Sequence, residues 1–218
     1  NTGDFVVVWQ APDASSGGVY AQLYYADGTA RGPEFRVNTH TSNFQGFPRV
    51  AMDNSGKFIV VWQSLGQDGD GYGIYGQLYY GNGAPNGSEF LINTTTAGDQ
   101  RFPNVAMDPQ TGFFWVTWSS NDSVIYAKRY SSLGTVEGSE LTVASGVFIR
   151  NPDIDIWDNN IVIVWYNSGF VHAKRYNSSV IVQGTECQVN TSSGANSSDG
   201  PQGVVNQSAY FFVLIKTE

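Results

Sequence analysis

Only one cysteine, Cys187, stands in the 218 residues, so no disulfide framework can close within the chain. Basic side chains are also few. Eleven Lys and Arg face nineteen Asp and Glu, a net charge of −8, which argues against the basic face that a nucleic-acid binder presents. No apolar run approaches the roughly 18 residues of a membrane-spanning helix. With two histidines, His40 and His172, there is no His cluster, no Ser-His-Asp spacing, no phosphate-binding loop and no cysteine pair. The familiar nucleophilic and zinc chemistries therefore find no support. Neither an initiator Met nor a signal-like segment opens the chain, and Asn1-Thr2-Gly3-Asp4 runs straight into an apolar stretch. The expectation is a processed chain or a segment of a longer one.

What is present points to β-structure. Aromatics make up 14% and there are 25 glycines, with Val, Ile, Phe and Tyr prominent among the apolar residues. Four segments share one plan. An apolar strand ends in Trp: Phe5-Val-Val-Val-Trp9, Phe58-Ile-Val-Val-Trp62, Phe114-Trp-Val-Thr-Trp118 and Ile161-Val-Ile-Val-Trp165. A second follows: Val19-Tyr-Ala-Gln-Leu-Tyr24, Ile74-Tyr-Gly-Gln-Leu-Tyr79, Ile125-Tyr-Ala-Lys-Arg-Tyr130 and Val171-His-Ala-Lys-Arg-Tyr176. A Gly-x-Glu step at Glu34, Glu89, Glu140 and Glu186 leads to a third, and a fourth opens with Pro48, Pro103, Pro152 or Pro201.

The four tryptophans are 53, 56 and 47 residues apart, and Leu214 takes the same slot 49 residues later. A period of about 50 residues holding four short strands is the period of a propeller blade. The Trp-ending strands are apolar on both faces, so one sheet alone could not stand in water and stacked sheets must cover it. The expected fold is all-β: a propeller-type array of four-stranded antiparallel blades forming a single repeat domain over 1–218. The repeats run over about 1–47, 48–102, 103–151 and 152–200, with 201–218 beginning a further one. The first and last Trp-type strands cannot share one position, so each should lie in a separate, incomplete sheet or pair with chain from outside. A larger propeller or assembly is the expectation. Trp9, Trp62, Trp118 and Trp165 are expected to be buried at equivalent blade positions, and proline to mark a strand start, where no ladder donor is needed.

The pattern Phe-Val-Val-Val-Trp-Gln, then Val-Tyr-Ala-Gln-Leu-Tyr, then Glu-Phe-Arg-Val-Asn-Thr, resembles tandem β-propeller repeats of large extracellular bacterial and protist surface proteins. The match is strong over residues 1–120. Beyond them Lys-Arg replaces Gln-Leu and loops shorten. WD40 and kelch signatures and the sialidase Asp-box are absent. The resemblance implies a propeller fold and an extracellular or cell-surface location, with adhesive or structural roles.

Several residues invite a chemical reading. Gln67-Asp68-Gly69-Asp70-Gly71 alternates carboxylates with glycines in a way that suits Ca²⁺, through Asp68 and Asp70, although it lacks the distal Glu of a full loop. A polar turn between strands is the favoured reading. Lys128, Arg129, Lys174 and Arg175 occupy matching positions in adjacent repeats and could form a partner- or anion-binding stripe. Asn-x-Ser/Thr sequons fall at Asn86, Asn93, Asn121, Asn177, Asn190, Asn196 and Asn206, in or beside turns where a glycan is solvated. Asn93 and Asn190 are equivalent in their repeats. Asp155 stands where Ala51 and Ala106 stand, and Arg150 or Arg129 could pair with it. Cys187 falls where other repeats carry Phe35, Phe90 and Leu141, as a small buried hydrophobe would, or else as a reactive thiol or an interchain bridge. The repeated glutamates read as structure, since a catalytic acid belongs in one or two blades only.

No catalytic residue is assigned from the sequence. It favours a non-enzymatic structural, adhesion or assembly module of a secreted or cell-surface glycoprotein, whose partners are other chains or further blades. The alternatives are a carbohydrate-binding propeller, using aromatics such as Tyr25, Tyr80 or Trp157, and a fragment of a glycosidase-like enzyme. No cofactor beyond Ca²⁺ is indicated.

Overall fold

The computed structural model describes residues 3–158, 160–177, 179–193, 200–205 and 211–214. Among them every regular element is a strand. The first sheet holds three strands in sequence order, β1 (Phe5–Ala11), β2 (Gly18–Tyr24) and β3 (Phe35–Arg36). The second holds β4 (Gln45–Met52), β5 (Phe58–Leu65), β6 (Tyr72–Tyr79) and β7 (Phe90–Leu91). Four strands again make the third, β8 (Gln100–Met107), β9 (Phe114–Ser120), β10 (Val124–Tyr130) and β11 (Val136–Ser145). The fourth contains β12 (Ile149–Trp157), β13 (Asn160–Asn167), β14 (Phe170–Asn177) and β15 (Cys187–Gln188). β16 (Gln202–Val205) and β17 (Phe211–Leu214) pair as a fifth sheet. The first and last Trp-type strands thus lie in separate sheets of three and two strands.

Two compact units divide the chain: residues 1–103 with 109–112, and residues 104–108 with 113–218. Each has its own core. In the first unit, Phe58, Val60 and Trp62 of β5 pack with Val19, Ala21 and Leu23 of β2 and with Tyr75 and Tyr79 of β6. In the second, Ile161, Ile163 and Trp165 of β13 pack with Ile125 and Ala127 of β10 and with Ile154 and Ile156 of β12. The sheets of each unit therefore bury one another's apolar faces, which is what the two-faced strands require.

Trp62, Trp118 and Trp165 are fully buried. Each lies against its cross-strand partner, Trp62 stacked on Tyr75, Trp165 stacked on His172 and Trp118 tilted against Tyr126, with ring centroids 5.9–6.5 Å apart. His172 thus fills the tyrosine slot. Trp9 stacks on Tyr20 in the same way but is only half-buried, because its sheet has three strands and β1 forms its edge.

The third strand is short where an asparagine intervenes. Asn38, Asn93 and Asn190 each accept the N–H that opens the preceding strand, from Val19 at 2.8 Å, Ile74 at 2.6 Å and Val171 at 2.7 Å. Their amide groups donate to the carbonyls of His40, Thr95 and Ser192. The side chain replaces a ladder bond, and β3, β7 and β15 span two residues each. Ala144 holds this position in the third repeat and cannot intercept the N–H. There the backbone pairs directly, Ile125 opposite Ala144, and β11 extends to ten residues.

Candidate functional site

Three of the four repeat prolines do not open their strands, whereas Pro201 stands directly before β16 as expected. Pro48, Pro103 and Pro152 lie inside β4, β8 and β12, and the register slips between Gly46 and Arg49 and between Arg150 and Asp153. The bulge accommodates a residue that offers no ladder donor. The residue before each proline has a left-handed backbone: φ is 55° at Phe47, 55° at Phe102 and 50° at Asn151, with Gly200 at 68°. For a non-glycine residue this costs on the order of 1–3 kcal/mol, and such strain clusters at functional positions. Part of the support is visible. The Phe47 N–H donates to Gln10 Oε1 at 2.8 Å and the Phe102 N–H to Gln63 Oε1 at 3.1 Å. This gives the glutamine that follows the repeat tryptophan its purpose.

The bulge sets the position after proline. That residue is polar in every repeat and never the same: Arg49, Asn104, Asp153, Gln202. The strand scaffold around it repeats; this side chain varies. In the second unit Asn104 and Asp153 meet. Asn104 Oδ1 accepts the Val105 N–H at 2.8 Å, which turns its Nδ2 to donate to Asp153 Oδ1. Asp153 is only 7% exposed, and a carboxylate removed from water needs such partners. Opposite it in the sheet stands Val164, and Val162 stands opposite Asp155. The two carboxylates therefore lie on one face of β12, over a small apolar cluster of Val162, Val164, Ala173 and Trp157.

In the sequence Asp155 stands out, because it replaces a repeat alanine, and Asp153 does not. Arg150 and Arg129, offered there as partners for Asp155, form ion pairs with Asp122 at 3.6 Å and Glu137 at 3.7 Å. The signal that finds Asp153 is the change of residue type after each proline, against a background in which the other positions repeat.

The remaining sequence-derived sites separate. Asp68 and Asp70 cap backbone. Asp70 Oδ2 accepts the Gly98 N–H at 3.0 Å, and Asp68 Oδ1 accepts that of Asp70 at 3.4 Å. Among the described residues no three His, Cys, Asp or Glu side chains group as metal ligands would. Lys128 and Arg129 are neighbours on one strand and so point to opposite faces of it. Lys174 spends its ammonium on the Val143 carbonyl at 3.1 Å, and burial pushes the Lys128 ammonium down while Glu140 opposes it. Arg175 is exposed. Cys187 is exposed as well, against the expectation of a buried hydrophobe, because β15 is an outer strand whose side chains face solvent. Of the aromatics considered for sugar binding, Tyr25 and Tyr80 are exposed, whereas Trp157 is half-buried on its cluster.

Among the sequons, Asn121 is exposed at a turn, and Asn86 and Asn177 are half-buried. Asn196 and Asn206 lie outside the described residues. Asn93 does not suit a glycan acceptor: it is 3% exposed, and both ends of its amide serve the backbone. Asn190 makes the same bonds. Peptide mapping of glycosidase-treated protein from a eukaryotic host should therefore find the sequon at Asn121 modified and the one at Asn93 unmodified. A glycan at Asn93 would show that the asparagine latch is dispensable.

No family model and no curated protein matches the sequence. Solved structures do. The chain is similar to the Bacillus subtilis arabinanase Arb43A at 11% identity, covering 100% of this chain and 91% of that one, with a TM-score of 0.52. It is similar to an exo-β-1,3-galactanase from Clostridium thermocellum at 14% identity, covering 99% and 52%, with a TM-score of 0.60. The Dos1 propeller gives 10% identity, coverage of 90% and 51%, and a TM-score of 0.54. At these identities the likeness establishes the fold, and the fold is a β-propeller. It also overturns the reading as a non-enzymatic structural or adhesion module. That reading rested on repeats in surface proteins, whereas the fold is one on which family-43 glycoside hydrolases are built.

Proposed function

We propose that this propeller is a secreted carbohydrate-active enzyme that hydrolyses glycosidic bonds, with Asp153 as a reacting carboxyl group. One observation carries the reading: a buried carboxylate, oriented by Asn104, at a repeat-variable position two residues beyond the strained Asn151, on a fold that glycoside hydrolases use. Hydrolysis needs two carboxyl groups, one to protonate the departing glycosidic oxygen and one to take a proton from water or to attack the sugar. Asp155 is assigned as the second. A two-residue step along a strand is about 6.6 Å, which leaves room for a water between the two groups, as inversion of the anomeric centre requires. Asn104, donating through Nδ2, holds the rotamer of Asp153 so that little reorganisation precedes reaction.

Several solved propellers similar to this one are named for action on arabinan or β-1,3-galactan, so polymers of arabinose and galactose are the first substrates to try. Reducing-end release from a panel of plant and microbial polysaccharides should single out a substrate for the wild-type protein. Binding to those polymers without any release would make the protein a lectin and set the hydrolase reading aside.

A further inference from the structure

The same bulges carry a second feature, in the first unit. Phe47 and Phe102, the residues before Pro48 and Pro103, place aromatic rings where the later repeats have Asn151 and Gly200. The two rings meet edge to face with centroids 6.0 Å apart, and Phe44 abuts Phe47 at 6.3 Å. Despite this packing Phe47 is 42% exposed. A left-handed backbone is a poor place for a phenylalanine, and Asn151 shows that the fold accepts a residue better suited to it. An exposed ring kept there at a cost in strain is a contact surface rather than filling.

Arg49 stands directly beyond the intervening proline and is exposed. Five of the seven arginines pair with carboxylates: Arg31 with Asp4, Arg36 with Asp13, Arg101 with Asp99, Arg129 with Glu137 and Arg150 with Asp122. Arg49 forms no ion pair among the described residues and donates to the Pro48 carbonyl at 3.0 Å. In a chain of net charge −8, an exposed guanidinium with no ion pair among the described residues is available to an anion from outside. Guanidinium takes a carboxylate through two parallel N–H bonds, and an aromatic face takes the apolar C–H face of a sugar ring by dispersion and water release.

We propose that Phe47 and Arg49 form a binding site for a sugar unit that carries a carboxylate, a uronosyl residue. This goes beyond the assignment of Asp153 and does not depend on it.

The test is equilibrium binding of a galacturonic acid trisaccharide and of the neutral galactose trisaccharide to the whole protein. The uronide should bind at least about tenfold more tightly, the discrimination that a charge-assisted pair supplies. Arg49→Met should remove that preference. Phe47→Asn, which retains a residue that tolerates the backbone, should weaken both sugars, with thermal unfolding as the check on folding. Asp153→Asn should lose hydrolysis and keep uronide affinity, which separates this site from the hydrolytic reading. Equal affinity for the two sugars, no uronide binding by the wild type, or a preference that survives Arg49→Met would each overturn the proposal.

Discussion

Trp62→Ala should lower stability by about 3–5 kcal/mol, the range for deleting a large buried aromatic. The indole is fully buried. Its ring stacks on Tyr75 at 6.5 Å, and it packs in one cluster with residues of β2 and β6. Removing it opens a cavity between two sheets that depend on each other for burial, and the surrounding strands are pinned by their ladders and cannot close it. Trp9→Ala is the internal control. That residue makes the same cross-strand stack but is half-buried, so it should cost clearly less. Urea denaturation of the two variants checks the difference. Equal losses would mean that the repeat tryptophans act through their strand pairing and not through burial.

Asp153→Asn should reduce kcat by about 10²–10⁴-fold, the usual contribution of a positioned general acid or base. The substitution keeps the volume and the ability to accept the Asn104 N–H, so folding should survive. Asn104→Ala should reduce kcat less. It frees the rotamer of Asp153 without removing the carboxyl group, so activity should fall while substrate affinity changes little. Unfolding temperatures close to wild type for both variants are the condition for reading these losses as chemistry.

The repeat was legible because it rests on short-range physics. Trp-ending strands, tyrosine-rich partners and turn glycines recur at about 50 residues, and burial of a two-faced strand requires stacked sheets. The pairing followed, with Trp62, Trp118 and Trp165 buried against matching cross-strand rings. Proline was misplaced at three of its four repeat positions. Its lack of a ladder donor fits a strand start and a bulge equally, and only the backbone at Phe47 and Asn151 distinguishes them. The sequon at Asn93 read as an exposed turn, since nothing local reveals that its side chain bonds the N–H of Ile74, nineteen residues earlier. Asp153 was missed for a related reason. Its partner Asn104 lies one repeat away, 49 positions back, and a contact of that range is invisible until the strands are aligned on their bulges. Asp155 attracted attention because a charge replaced alanine there, whereas the informative signal was polar variation after proline.

Glycoside hydrolysis through Asp153, the one carboxylate among the residues that follow Pro48, Pro103, Pro152 and Pro201, is the proposed activity. Wild type and Asp153→Asn, assayed side by side for reducing-end release and for binding on the same polysaccharide panel, test it most directly. Release by the wild type, lost in Asp153→Asn while binding to the same polymer persists, is the predicted result. Release that is unchanged in Asp153→Asn, or a wild type that releases nothing from any polymer it binds, would contradict it.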